Sequence, residues 1–526
     1  MRLAPLVLVV ALWGCSDDPG NPLRVELDTG VVIGLDQGGV LEFLRIPYAA
    51  APIGDLRFKP PQPPEPWTDE RELINPGDPC PQGVAFAGGG VEDCLFINVW
   101  VPKTSNKKSD GTLPVMVWLH GGAFIFGSGS DAYYSGAHLA EAQGVIVVNL
   151  SYRLGAFGFL AHPAFAMEDP AYPSSGNWGL DDQYAGLAWV QRNIAAFGGD
   201  PAKVTLFGES AGGYSTCVHY VAARTAGMFR AAISESGLCT TSVLELSRAE
   251  AEAAAISVAE KVGCTGTGAA ACLRGKPMME LVAATNPIMQ GAPPGGPFYQ
   301  SGPPLTTLPN VDGFVIERPL RETFESGDFP SRPLILGATR DEGTLFHTSL
   351  FATAVTDEAT YREALARRFP AESIDEIVAR YPVAAFPNAN RAIAEVSGDA
   401  FFVCPARRTA RAVAASGAHT YYYSFQQEPT QAFMPDLGVF HSAEIPFLFA
   451  TDPRYPLARA GDAGKPTSDA LQEYWSRFAT TMDPNGDDAR AWPEYTRATD
   501  QHLVIDNDPT VGSAYKSALC DFWDGV

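Results

Sequence analysis

At 526 residues, with 46% hydrophobic and 18% charged side chains, the chain has ample length for a large buried core. Aromatic residues at 11% and a mean hydropathy of -0.03 exclude an intrinsically disordered chain and a multi-span membrane protein. Against 60 acidic residues stand 37 basic ones, a net charge of -23, and the densest basic cluster is only Lys103, Lys107 and Lys108. No nucleic-acid partner is expected from that distribution; the acidity reads as a soluble surface that resists self-association.

In chain order, Arg2 precedes an apolar run from Leu3 to Trp13 that is too short to span a bilayer and suits a signal peptide. The run ends in Leu12-Trp13-Gly14-Cys15 before Ser16-Asp17-Asp18, which resembles a bacterial lipobox cut ahead of a lipid-bearing cysteine. Residues 1–14 are then a signal peptide, 15–22 a lipid-attachment site at Cys15 with a flexible tether, and 23–526 one domain. An ordinary secretory signal cut nearby is the alternative. Both deliver the chain to an oxidising compartment, with the membrane reached only through the anchor. Without Cys15 the cysteine count is even: Cys80, Cys94, Cys217, Cys239, Cys264, Cys272, Cys404 and Cys520, as a disulfide-bonded exported protein requires. Neither C-x-x-C nor H-E-x-x-H occurs, so no metal site is expected, and no cofactor.

Val115–Leu119, Val145–Asn149, Val204–Phe207 and Leu334–Leu336 are short continuous apolar runs, the pattern of strands buried on both faces. Between them Leu180, Tyr184, Leu187, Val190, Ile194 and Phe197 form one helical stripe that stops at Gly198-Gly199-Asp200-Pro201. Ser247-Arg-Ala-Glu250 is a capping box that opens a further helix carrying Ala254, Ala255, Val258 and Val262. Alternating strands and helices predict an α/β layered fold with a mostly parallel sheet.

Gly208-Glu209-Ser210-Ala211-Gly212 follows the Val204–Phe207 strand and precedes a helix-competent stretch, which is the strand-turn-helix context of a G-x-S-x-G nucleophile elbow. A serine needs a base, usually a histidine oriented by a carboxylate, and in this architecture both follow the serine in the chain. That order sets aside His120, His138 and His162 but does not choose among His219, His347, His419, His441 and His502. Gly127–Ala132 nominally fits a dinucleotide fingerprint, yet lacks the strand such a loop must follow.

Nearly the whole of residues 24–524 resembles the type-B carboxylesterase family, which includes the cholinesterases. The resemblance rests on Phe58–Gln62, Glu92–Asn98, His120-Gly-Gly-Ala-Phe124, Ser151–Phe159, Gly176–Gln183, Phe197–Pro201, Phe207–Gly213 and Gly438–Phe447. It implies an α/β-hydrolase fold and a serine esterase acting on small-molecule esters. Its D-E-G and G-V-x-H patterns fall on Asp341-Glu342-Gly343 and Gly438–His441, so Ser210 becomes the nucleophile, His441 the general base and then acid, and Glu342 the group orienting it. The resemblance also implies an oxyanion hole from the backbone N–H groups of Gly122, Ala123 and Ala211. Glu209, Ser236 and Glu444 match a buried polar network behind the histidine, where tuning of the base and a purely structural role both stay open. His419 and His502 read as structural.

The disulfide pairs implied by the resemblance are Cys80–Cys94, Cys264–Cys272 and Cys404–Cys520, leaving Cys217 and Cys239 as the fourth. Choline-binding relatives hold a cationic headgroup on a tryptophan in the loop closed by the first pair. Here that loop offers only Phe86, which favours a general carboxylesterase for neutral acyl esters over a cholinesterase, with the negative surface at most weakly favouring cations; cholinesterase-like or lipase-like specificity is the alternative. A non-catalytic adhesion module of the same fold is the alternative class, and the presence of Ser210, Glu342 and His441 together argues for the hydrolase. Pocket shape, and with it the choice of acyl and alcohol parts, depends on loops such as 284–306 and 343–356.

Overall fold

The four apolar runs lie among the strands of one 11-stranded sheet. The computed structural model describes residues 21–83, 89–103, 112–241, 243–285, 306–347, 354–434, 436–451, 454, 456–486 and 490–526. Cys15 and Phe86, and with them the lipid-site and choline-loop expectations, lie outside the described residues. So do 286–305, nearly all of the first pocket-shaping loop, and 348–353 within the second.

In chain order the sheet's strands are β1 (Leu35–Asp36), β2 (Val40–Pro47), β3 (Phe96–Pro102), β4 (Leu113–Leu119), β5 (Ile146–Leu150), β6 (Gly199–Glu209), β7 (Ala231–Glu235), β8 (Leu334–Thr339), β9 (Thr420–Phe425), β10 (Gln501–Ile505) and β11 (Thr510–Ser513). Their order in space is β11-β10-β9-β8-β7-β6-β4-β5-β3-β2-β1. Every pairing from β5 across to β10 is parallel, and the edges on both sides are antiparallel. The helices that matter for the site are α1 (Trp178–Asn193), α2 (Ala211–Val221), α3 (Arg248–Lys261), α4 (Ala389–Gly398), α5 (Cys404–Ala415), α6 (Lys465–Thr481) and α7 (Ser517–Trp523).

β4 shows why a parallel central strand reads as an unbroken apolar run. Leu113, Val115, Val117 and Leu119 pack on one face with Leu187 and Val190 of α1, while Met116 and Trp118 pack on the other with Trp475 and Phe478 of α6. Alternation persists in direction, but both directions are core.

α1 departs from its single stripe. Asp181, Asp182, Gln183 and Trp189 are buried as well, and Tyr184 is only half-buried, covered by the Arg224 guanidinium 4.8 Å from its ring centre. The polar residues go inside because they are paired: Asp182 bonds Arg153 at 2.7 Å with both side chains no more than 2% exposed. Periodicity of apolar residues cannot reveal a face made core by ion pairs. The stop signal behaves as read: a 3-10 turn, Ile194–Phe197, ends at Gly198 with φ 83°. The Ser247–Glu250 box is formed reciprocally at the start of α3. Four disulfides join Cys80–Cys94, Cys217–Cys239, Cys264–Cys272 and Cys404–Cys520 with Cα separations of 5.0, 5.6, 5.4 and 4.8 Å.

Candidate active site

Parallel strands point their carboxyl ends one way, and turns from those ends converge above the sheet. Ser210 follows β6, Glu342 follows β8 and His441 follows β9. The turn that carries Ser210 is tight: φ is 57° and ψ -119°, a region that costs a non-glycine residue on the order of 1–3 kcal/mol. It persists because its surroundings determine it, with the Ser210 N–H donating to Glu235 O at 2.9 Å and Tyr214 N–H donating to Ser210 O at 2.8 Å. Close approach explains the glycine at 212, where a Cβ would stand 1.9 Å from the Leu119 carbonyl oxygen.

His441 is buried between two carboxylates. Its Nδ1 lies 2.6 Å from Glu342 Oε2 and its Nε2 lies 3.2 Å from Glu209 Oε1. Glu342 also accepts the Ser236 hydroxyl at 2.5 Å and the Thr339 N–H at 2.8 Å, which fixes the carboxylate that faces the ring. Glu209 accepts the Ser442 hydroxyl at 2.6 Å. Burial opposes charging the imidazole, but the Glu209 and Glu342 carboxylates outweigh it and hold its pKa above the ordinary value. Burial in turn raises Glu209, with His441 and Ser442 opposing. Among the described residues no hydrogen bond joins Ser210 Oγ to His441 Nε2; that nitrogen is turned to Glu209.

The His120–Phe124 turn lies against the serine: a Cβ on Gly121 would fall 3.1 Å from Ser210 Cβ. Gly122 takes φ 110°, where a Cβ would meet Phe126 O at 2.0 Å, and Ala123 and Phe124 take φ 51° and 62°. Among the described residues the N–H groups of Gly122 and Ala123 have no protein acceptor, and that of Ala211, opening α2, has none within its helix. His120, read as lying outside the triad, fastens this turn. Its ring stacks on Tyr152 at 4.3 Å, its Nδ1–H donates to Gly121 O at 2.8 Å, and burial lowers its pKa to about 4, so it stays neutral.

Ser236 thus touches Glu342, and Glu209 touches the histidine itself rather than standing behind it. Glu444 is fully buried at the start of the Ile445–Phe449 helix with neither carboxylate oxygen hydrogen-bonded. Burial and the Glu209, Glu235 and Glu342 carboxylates push its pKa well up. The other candidate histidines bond elsewhere: His219 with Gln183 at 3.0 Å, His347 with Ser397 at 3.1 Å and His419 with Glu494 at 2.8 Å, while His502 lies in β10. No group of three or more metal-ligating side chains occurs among the described residues.

Five residues around the site are given no role by the sequence. α4 passes into α5 through a π turn, Asp399–Val403, which carries Phe402 to 4.7 Å from the His441 ring, with Phe346 at 5.0 Å. Tyr423 of β9 and Glu235 of β7 are fully buried on either side of β8; an acid in the otherwise uncharged Ala231–Glu235 strand was the available signal. Asp341 ties the acid-bearing turn to the histidine loop, its Oδ2 accepting Val439 N–H at 2.8 Å and its Oδ1 accepting Arg391 at 3.0 Å.

A family model described as the carboxylesterase family matches residues 21–523. The chain belongs to the carboxylesterase family. As a carboxylesterase-family member it is a carboxylic ester hydrolase with an α/β-hydrolase fold. Curated relatives include acylcarnitine hydrolase of Mus musculus, 32% identical over 98% of this chain and 93% of the relative. Cocaine esterase of Homo sapiens is 31% identical over the same shares. Acetylcholinesterase of Bungarus fasciatus is 32% identical over 95% of this chain and 86% of its own length. For this carboxylesterase, Asp341→Ala is expected to lower kcat by about 10- to 100-fold with KM little changed, because the histidine loop loses its side-chain anchor and keeps the Asp341 N–H and Thr344 hydroxyl bonds to it, while the rest of the pocket is kept. Steady-state kinetics check this; a rise in KM with kcat unchanged would contradict it.

Proposed function

We propose that the enzyme hydrolyses neutral carboxylic esters through an acyl-enzyme on Ser210. Ser210 Oγ attacks the ester carbonyl carbon while His441 Nε2 takes its proton. The carbonyl oxygen becomes an oxyanion received by the N–H groups of Gly122, Ala123 and Ala211, and each such donor contributes about 10² to 10³ in rate. His441 then gives the proton to the departing alkoxide, the C–O bond breaks, and the acyl group stays on Ser210. Water repeats the sequence, losing its proton to His441 and releasing the acid. Glu342 holds Nδ1 and the ring plane, and with Glu209 it offsets the charge of the imidazolium formed in each step.

The observation that carries the reading is the 2.6 Å contact between His441 Nδ1 and Glu342 in the turn facing the serine elbow. Before attack, Nε2 exchanges Glu209 for the serine, since hydrogen bonds of this kind tighten only with substrate in place. The aromatic walls at Phe346 and Phe402 and the absence of a tryptophan between Cys80 and Cys94 support neutral acyl substrates. The four disulfides support an exported chain, carried as one catalytic domain over 23–526 with a lipid on Cys15 or cut nearby. A fluorophosphonate ester tests the nucleophile: mass spectrometry of peptides is expected to find the phosphonyl group on Ser210, with loss of activity in proportion. Full inactivation with Ser210 unmodified would refute the assignment.

A further inference from the structure

Register places a row of side chains across four neighbouring strands on one face of the sheet: Glu209 of β6 opposite Glu235 of β7, Glu235 opposite Gly337 of β8, and Gly337 opposite Tyr423 of β9. Gly337 leaves the room that Tyr423 uses, since a Cβ there would lie 2.5 Å from the Tyr423 ring. Trp475 of α6 covers the row, its ring 5.4 Å from that of Tyr423 and its Nε1–H donating to Glu235 Oε1 at 2.8 Å.

Glu235 is 0% exposed, its Oε2 has no hydrogen-bond partner, and among the described residues no lysine or arginine pairs with it. Tyr423 Oη and both oxygens of Glu444 are buried and unpartnered likewise. The groups facing Glu235 are thus Glu209 and the Trp475 indole, with Tyr423, Glu444, Glu342 and His441 around them. An unpaired carboxylate in such a place is far costlier than a neutral carboxylic acid.

We infer that Glu235 is a positioning residue that works as a neutral acid, keeping one more negative charge away from Glu209 and His441 while the imidazole gains and loses its proton. Glu209 touches Nε2 directly, so any further anion beside it would hold His441 protonated and reduce the free base. Burial, against the Trp475 hydrogen bond and with the Glu209 charge, raises the Glu235 pKa to about 8. The site therefore keeps its proton through neutral pH and gives it up in alkaline solution.

The inference rests on His441 as the base, and the test has one arm that does not. In thermal unfolding across pH, a folded-state pKa raised above the ordinary value of 4.5 means that the native chain binds one proton more between those limits. The contribution of Glu235 to wild-type stability then falls as pH rises toward about 8 and levels off beyond it. Glu235→Gln is expected to lack this loss, so its advantage in Tm grows with pH. Trp475→Phe, which removes the donor to the ionised form, is expected to move the levelling-off to higher pH. In the catalytic arm, the acid limb of kcat/KM is expected to stay in place in Glu235→Gln and to move to lower pH in Glu209→Gln, which removes a real charge. A Tm difference between Glu235→Gln and wild type that is flat with pH overturns the inference, as does an acid limb that falls as far in Glu235→Gln as in Glu209→Gln. A pH-dependent Tm difference with no acid limb in any variant upholds the neutral acid and instead removes His441 as base.

Discussion

Ser210→Ala is expected to lower kcat on p-nitrophenyl butyrate by about 10⁴- to 10⁶-fold, with KM changed only a few-fold. The size follows from what alanine removes. It deletes the oxygen proposed to carry the acyl group, and water cannot occupy the same position with comparable orientation. The substitution leaves the elbow intact: the backbone bonds from Ser210 N–H to Glu235 O and from Tyr214 N–H to Ser210 O survive, and Gly212 still allows the approach to Leu119. A far-ultraviolet spectrum and thermal unfolding close to wild type would confirm that the loss is chemical. The residual rate is expected to exceed the uncatalysed one, because Gly122, Ala123 and Ala211 N–H groups still receive the carbonyl oxygen. Equal turnover by Ser210→Ala and wild type would exclude the acyl-enzyme at this position.

Much of the candidate site is legible in the sequence, because its residues fall in short contiguous turns. The elbow needs glycines two positions either side of Ser210, so strand, turn and helix announce themselves in five letters. The acid and the base are harder. Sequence order left five histidines, and only the resemblance selected His441 among them. What stayed hidden depends on neighbours far apart in the chain. Asp341 acts on Val439 across 98 positions, and Glu235 meets Glu209 only through strand register. A reading based on apolar periodicity is also blind to faces made core by ion pairs, as α1 shows with Asp182 and Arg153. Polar residues in core positions are the class that sequence pattern treats as surface, and in this protein they surround His441, the proposed base.

The four carboxyl groups around that histidine also change how the triad is viewed electrostatically. Glu342 and Glu209 contact the two ring nitrogens, so the arrangement matches the imidazolium that the proposed reaction would generate. Preorganisation of that kind lowers the barrier at the moment of proton transfer and charges for it on the acid side of the pH profile, where the base stays protonated. Keeping Glu235 neutral limits how far this goes.

The second large effect concerns stability. Replacing both Cys404 and Cys520 by alanine is expected to destabilise the fold by about 4 to 5 kcal/mol, since the bridge closes a loop of 116 residues and chain entropy gained by the unfolded state scales with loop length. Both cysteines are buried, Cys404 at the start of α5 and Cys520 in α7, so the alanines leave little strain but remove the covalent tie between them. Ion pairs also hold α7 to α5: Arg407 and Arg411 each reach Asp521 at 2.9 Å, and Arg408 reaches Asp524 at 2.8 Å. Those pairs are partly exposed and each contributes at most about 1 kcal/mol, so they do not compensate for the bridge. They do keep α7 docked in the native state, which separates two readouts. Turnover at room temperature is expected to stay near wild type, while the denaturant midpoint falls and the half-life at elevated temperature shortens. A midpoint unchanged in the double variant would show that the unfolded chain is already restrained by residual structure. A large loss of turnover with an intact midpoint would instead tie the bridge to the placement of Phe402, two residues before Cys404, against the His441 ring.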